Sequence, residues 1–224
     1  MIFEILMLVS VGGLITVLEK GLSVWPLVLK TTASLFFVLA GFCGYWKAKV
    51  NKKISLYVLL ALCFSMAGDV FLEIKVHKDV MFILGVLSFA IAHVMFSMGF
   101  GKMSKGKKID FAVAGLIFGI ILAVICTANA DFRGLFPAVI GYAAVISFMV
   151  AKALALWRCR KVQKKVVELM MLGGILFLIS DTILFFVFFV DGVPRGMQYA
   201  NLIIYYVAQM LQSHALNDKC FTQK

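Results

Sequence analysis

Apolar runs of about 20 residues recur along the whole chain, each closed by a short stretch with charges, glycine or proline. A helix rises about 1.5 Å per residue, so about 20 residues cross the roughly 30 Å hydrocarbon core of a bilayer. The runs fall at residues 2–18, 22–42, 54–74, 79–100, 110–128, 134–155, 166–190 and 196–216, and leave no room for a soluble domain. Lipid offers the backbone no hydrogen-bond partner, which restricts spanning segments to helices or closed barrels, and the alternation of barrel strands is missing. The pattern predicts an all-α polytopic membrane protein with eight transmembrane helices, forming one integral membrane domain over 1–224.

Composition agrees: 63% hydrophobic and 15% charged residues place the chain outside the range of soluble domains. The net charge of +11 raises nucleic acid as a partner, but the basic residues sit in clusters between the runs and line no helix face. Membrane orientation accounts for them. Lys47, Lys49, Lys52 and Lys53 follow the second run; Lys102, Lys105, Lys107 and Lys108 the fourth; Arg158, Arg160, Lys161, Lys164 and Lys165 the sixth; Lys219 and Lys224 close the chain. The alternate loops hold only Lys20, Lys75, Lys78, Arg133 and Arg195. The positive-inside rule then puts both termini in the cytoplasm, with the chain expected in a bacterial inner (cytoplasmic) membrane. No basic stretch precedes the first run and no small-residue cleavage site follows it, so it is expected to start at Met1 and be retained as a span. The five cysteines, Cys43, Cys63, Cys126, Cys159 and Cys220, form no CxxC pair and are expected to act as small apolar residues, without disulfide or metal.

A shift of about 112 positions lays Gly68-Asp69-x-x-Leu72 on Ser180-Asp181-x-x-Leu184. The same shift brings Trp25-Pro26 near Phe136-Pro137, Lys30 onto Tyr142 and His93 onto Tyr205. Four runs per half give both halves the same orientation, so repeats over 1–105 and 106–224 would be related by an axis along the membrane normal. Two aspartates repeated in register would meet at similar depth near that axis.

A charged group at the centre of a span costs about 3 kcal/mol or more, so it normally faces the bundle interior and marks function. The candidates are Lys30, Asp69, Glu73, His93 and Asp181, with Tyr142, Ser180, Tyr205, Tyr206 and Gln209 as uncharged companions. Counted at about 1.5 Å per residue from the non-cytoplasmic ends, Lys30 and Tyr142 lie about 12 Å deep, Asp69 about 8 Å, Asp181 about 13 Å and Tyr206 about 15 Å. His93 and Gln209 come out near 20 Å, at the floor of the same expected cavity. Ser65, Asp69 and Glu73 follow i, i+4, i+8 and read as a cavity wall. Each residue also has a plainer role: Lys30 as the neutralising half of a structural ion pair, His93 as a packed hydrogen-bonded ring, Tyr205, Tyr206 and Gln209 as glue between helices, and Glu73, His77 and His214 as solvated groups at span ends. No GxxxxGK[ST], GxGxxG, HExxH or GxSxG motif is present, which leaves nucleotide hydrolysis, zinc protease and serine hydrolase chemistry without support.

The stretch from Leu62 through Gly68-Asp69 to Leu72, then Phe89-Ala-Ile-Ala-His93, Phe177-Leu-Ile-Ser-Asp181-Thr-Ile-Leu184 and Tyr205-Tyr206-Val-Ala-Gln209, resembles the YhhN-like lysoplasmalogenase family over essentially the whole chain. One departure is visible: the family's Lys-Pro near the second span is Lys30-Thr31 here, with the proline at Pro26. The resemblance implies an eight-span ether hydrolase that cleaves the vinyl-ether bond of a lysoplasmalogen held within the bilayer, giving a fatty aldehyde and glycerophosphoethanolamine or glycerophosphocholine.

A vinyl ether is stable to base and labile to acid, so its cleavage needs a proton donor but neither metal nor other cofactor. Asp69 and Asp181 are the expected catalytic pair, one protonated and one ionised, as in glycosidases. Lys30 would set which is charged or grip the lipid phosphate, while Tyr142, Tyr206 and Gln209 would orient water or glycerol oxygens; Glu73, His93 and Ser180 complete the candidate site. The rival expectation is a proton-coupled small-molecule or lipid transporter, since parallel repeats around buried carboxylates also describe proton relays.

Overall fold

The computed structural model describes residues 2–22, 25–74, 78–159, 162–218 and 221. Met1, Lys75, His77, Arg160, Lys161, Lys219, Cys220 and Lys224 lie outside the described residues. Among the described residues, eight α-helices follow in order: α1 Ile2–Glu19, α2 Trp25–Lys47, α3 Lys52–Glu73, α4 Lys78–Met103, α5 Lys108–Thr127, α6 Phe136–Ala155, α7 Lys164–Phe189 and α8 Arg195–Leu216. A 3-10 turn, Leu156–Arg158, extends α6. Their bounds follow the apolar runs closely. The largest difference is α2, which starts at Trp25, where Pro26 suits a first turn because its missing N–H has no helical partner there, and which continues to Lys47.

Seven of the eight helices are long and apolar enough to cross a membrane; α8 is not apolar enough. It has the length, 22 residues, but its buried positions include Asn201, Tyr205, Tyr206, Gln209, Gln212 and Ser213. It packs against α7, α2, α3 and α1, so its polar groups face protein. The lipid-facing load falls on helices such as α5, where Phe111, Leu116 and Ile120 are exposed.

Neighbours pair along the bundle: α1 on α2, α3 on α4, α5 on α6 and α7 on α8, with α2 reaching α8 and α4 reaching α6. Close approach depends on small residues, because without a hydrophobic drive between helices in lipid it is backbone proximity and packing that hold them. A Cβ at Gly68 would meet the Phe89 ring at 2.6 Å, and one at Gly173 would meet Gln212 at 2.6 Å. Gly192, at φ 74°, turns the chain from α7 into α8.

One end of the bundle gathers the start of α1, the α2–α3 connection and the end of α8. Lys49 and Val50 N–H donate to the Phe221 carbonyl at 2.8 and 3.2 Å. His214 Nδ1 lies 2.6 Å from Glu4 Oε1, so this histidine is paired, not simply solvated. At the same level of the chain's alternation, buried Asp110 at the start of α5 binds Lys152 at 3.2 Å and also Arg158, a charge cluster outside the candidates drawn from the sequence. Of the five cysteines, the four among the described residues, Cys43, Cys63, Cys126 and Cys159, are free.

Candidate functional site

Both aspartates border one polar cavity of about 230 Å³, towards the end of the bundle opposite the chain termini. Asp69 stands four residues before the last residue of α3 and Asp181 eight before the last of α7, while Lys30 lies near the start of α2. The chain alternates direction, so these positions fall at one level. Glu73, Ser180, Gln198, Asn201 and Tyr205 complete the polar lining.

The two carboxylates have unlike surroundings. Asp69 Oδ2 accepts hydrogen bonds from Ser34 Oγ and Tyr205 OH, both at 2.6 Å. Its Oδ1 lies 3.8 Å from Lys30 Nζ, which is also 3.7 Å from Glu73 Oε2. Two hydroxyl donors and a cation therefore compensate the charge of a carboxylate that is almost wholly buried. Asp181 Oδ2 accepts from Tyr142 OH at 2.6 Å and lies 3.1 Å from His93 Nε2, itself 2.9 Å from Tyr142 OH. Nδ1 of His93 is buried without a partner. A proton on Nε2 lets the ring donate to this cluster and leaves an orphaned acceptor, the cheaper of the two orphans. No lysine or arginine among the described residues pairs with Asp181, and its side chain is more exposed than that of Asp69, 12% against 3%.

A second layer holds these partners. Gln209 Nε2 donates to Tyr205 OH at 3.0 Å. Tyr206 OH donates to the Lys30 carbonyl at 3.1 Å and lies 3.2 Å from Ser34 Oγ. Asn201 Nδ2 donates to the carbonyl and hydroxyl of Ser180 at 2.7 and 2.9 Å, tying α8 to α7 beside Asp181. The buried Phe177 ring stands edge-on to both His93 and Tyr205, at 5.5 and 5.9 Å, between the two clusters.

Lys30, Asp69, Glu73, Ser180 and Asp181 thus line the cavity that the span pattern predicts. Tyr142 does not; it borders a separate apolar groove of about 410 Å³ between α4, α6 and α7, which also ends at Asp181. His93 and Gln209 do not form the floor: both are fully buried behind the cavity, holding Asp181 and Tyr205. Tyr206 likewise braces Lys30 from behind. The polar stripe of α3 forms a wall only at Asp69 and Glu73, since Ser65 is buried without a partner. Ser34, Gln198 and Asn201 were not singled out from the sequence, and Tyr205 was named only as a companion. The spacing of Gln198, Asn201, Tyr205, Gln209 and Gln212 along α8, three to four residues apart, was the signal that marks them as one face.

Nothing among the described residues groups three or more His, Cys, Asp or Glu in a metal-binding arrangement.

A model of the YhhN family matches residues 25–216. The Bos taurus protein named lysoplasmalogenase TMEM86A is 32% identical over an alignment of 168 residues, with 69% of this chain and 62% of that protein covered. The Homo sapiens protein of the same name is 31% identical over 160 residues, with the same shares covered. This chain therefore spans less than two thirds of the length of these relatives. No solved structure gives a significant match.

Proposed function

This chain belongs to the YhhN family, and on that premise we propose that it is a lysoplasmalogenase-type hydrolase, cleaving the vinyl-ether bond of an alkenyl lysophospholipid to a fatty aldehyde and a glycerophospho alcohol. The observation that carries the reading is a single polar cavity bordered by two aspartates of unlike surroundings. An acid-labile bond needs one group to give a proton and another to manage charge and water.

We assign the donor role to Asp181, which meets apolar walls, Tyr142 and His93 with no lysine or arginine beside it among the described residues, and the carboxylate role to Asp69, which faces Lys30. Asp181 passes its proton to the alkene carbon remote from the ether oxygen, and the carbon bonded to that oxygen becomes an oxocarbenium ion. Water adds there while Asp69 takes its released proton, giving a hemiacetal. The hemiacetal C–O bond to glycerol then breaks; Asp69 returns its proton to the leaving oxygen and the hemiacetal hydroxyl gives its own to Asp181. Both acids end as they began, and one water has been consumed.

The aspartate clusters also support the reading of two repeats. Lys30 of α2 and Tyr142 of α6, equivalent under the 112-residue shift, each attend the aspartate of the following helix. Tyr205 of α8 and His93 of α4, also equivalent, each attend the aspartate of the opposite half. Helix pairing follows the same shift, with α2 on α8 matching α6 on α4. The charge bias then orients the cavity away from the cytoplasm, with both termini inside.

Purified protein incubated with alkenyl and acyl lysophospholipids tests this. Aldehyde release from the alkenyl lipid alone is expected, and Asp69→Asn and Asp181→Asn should each abolish it in protein that stays folded. Near-normal turnover in either variant would remove that residue from the chemistry, and no aldehyde from any alkenyl substrate would favour the transporter.

A further inference from the structure

Asp181 is reached from two sides. On one lies the polar cavity; on the other the apolar groove runs between α4 and α6 with α7 as its floor. Ile83 and Leu87 of α4 and Phe188 of α7 border the groove and are exposed, as are Ala138 and Gly141 of α6. In a bilayer these side chains face lipid, so the groove opens sideways into the hydrocarbon core. Leu72, Phe89, Asp181, Leu184 and Phe188 border both spaces, so only single side chains divide groove from cavity. Beyond Val145 a shallower apolar groove continues between the same two helices past Met98 and Phe148. At about 410 Å³ the groove beside Asp181 falls within the roughly 300–1,000 Å³ of ligand sites.

We propose that this groove binds the hydrocarbon chain of the lipid substrate, entered laterally between α4 and α6, and that Ala138 and Gly141 set which chains fit. The proposal rests on the hydrolase reading: with the headgroup in the polar cavity and the chain in the groove, the linkage between them lies at Asp181. A chain gains nothing hydrophobic on leaving lipid for an apolar groove, so selection here is by shape. A seated chain also closes the groove side of Asp181 to water, leaving the polar cavity to supply the one that reacts. Gly141 is where shape is most open to change, because a side chain built there meets nothing within 4 Å.

The test uses the detergent-purified full chain and a lysophospholipid with a diazirine midway along its chain, with labelled peptides mapped by mass spectrometry. Label is expected on α4 and α6 between residues 83 and 90 and between 138 and 145. Gly141→Phe and Ala138→Phe, each filling the groove from a lipid-facing position, should cut that labelling and long-chain turnover by about tenfold or more, while a short-chain alkenyl ether is still cleaved. Gly119→Phe, on an exposed face of α5 away from the groove, should keep both. Label scattered over the outer faces overturns the proposal, as does equal loss for long and short chains in folded variants, or a second copy of the protein cross-linked into the groove. If the wild type is labelled in the groove but releases no aldehyde, the hydrolase reading fails and the chain site stands; aldehyde release with label elsewhere removes the chain site alone.

Discussion

Tyr142 and Tyr205 show how much a single hydroxyl decides at the residue scale. Tyr205 donates to the carboxylate of Asp69 and Tyr142 to Asp181, each at 2.6 Å inside a low-dielectric bundle; the Tyr142 bond gains the about 1.5–3 kcal/mol of a bond to a charged group as Asp181 gives up its proton. Tyr142→Phe keeps the ring and removes that bond, so aldehyde release should fall by about 10- to 100-fold while the protein stays folded, as read by steady-state kinetics beside a melting curve. Unchanged turnover would show that the hydroxyl is only packing. Lys30→Met should cost more in stability than Tyr142→Phe, because it strands Asp69 and Glu73 together without their cation. The charged members of this network were legible in the sequence because an intramembrane charge is rare. Ser34 was not, since a serine in an apolar span usually bonds the carbonyl four residues back, as Ser10, Ser88, Ser97 and Ser147 do here. Only the fold reveals that Ser34 spends its proton on Asp69.

Among the elements, α3 and α8 carry the tightest demands. Gly68 leaves room for the Phe89 ring, which packs on Tyr205 at 5.9 Å and borders both the cavity and the groove. Gly68→Ala forces that ring aside and should destabilise the protein by about 1–3 kcal/mol, with loss of turnover. Gly119→Ala, where nothing lies within 4 Å, should leave the melting temperature and activity unchanged. Parallel unfolding in detergent checks the pair, and equal effects at both positions would contradict the packing argument. Helix bounds were readable because a bilayer fixes the length that apolar runs need. Facing was not: α8 looked like one more span with some glue residues, whereas its six buried polar positions make it the helix on which the site is assembled. Hydropathy averages over a helix and loses direction, which returns only when the neighbours are known.

For the whole molecule, the proposed repeats carry a sharper consequence than symmetry. The first half holds Asp69 but takes Tyr205 from the second; the second holds Asp181 but takes His93 from the first. Neither half alone completes an acid cluster, and each would leave buried polar groups facing lipid. The connection between them, residues 104–107, lies outside the helices, and α4 packs chiefly on α3 and α6. Residues 1–105 and 106–224 expressed as separate chains should therefore each be inactive and poorly stable, yet recover aldehyde release when made together in one membrane. The same cut tests the partition at the other end of the bundle, where Ser104 Oγ donates to the Ala155 carbonyl at 2.9 Å and needs no covalent link to do so. Recovery with Tyr205→Phe on one chain and His93→Phe on the other should be weaker than with either change alone, because each removes a bond to a different aspartate. If one half proved active by itself, the exchange of partners across the bundle would lose its functional meaning, and the two aspartates could not be parts of one site.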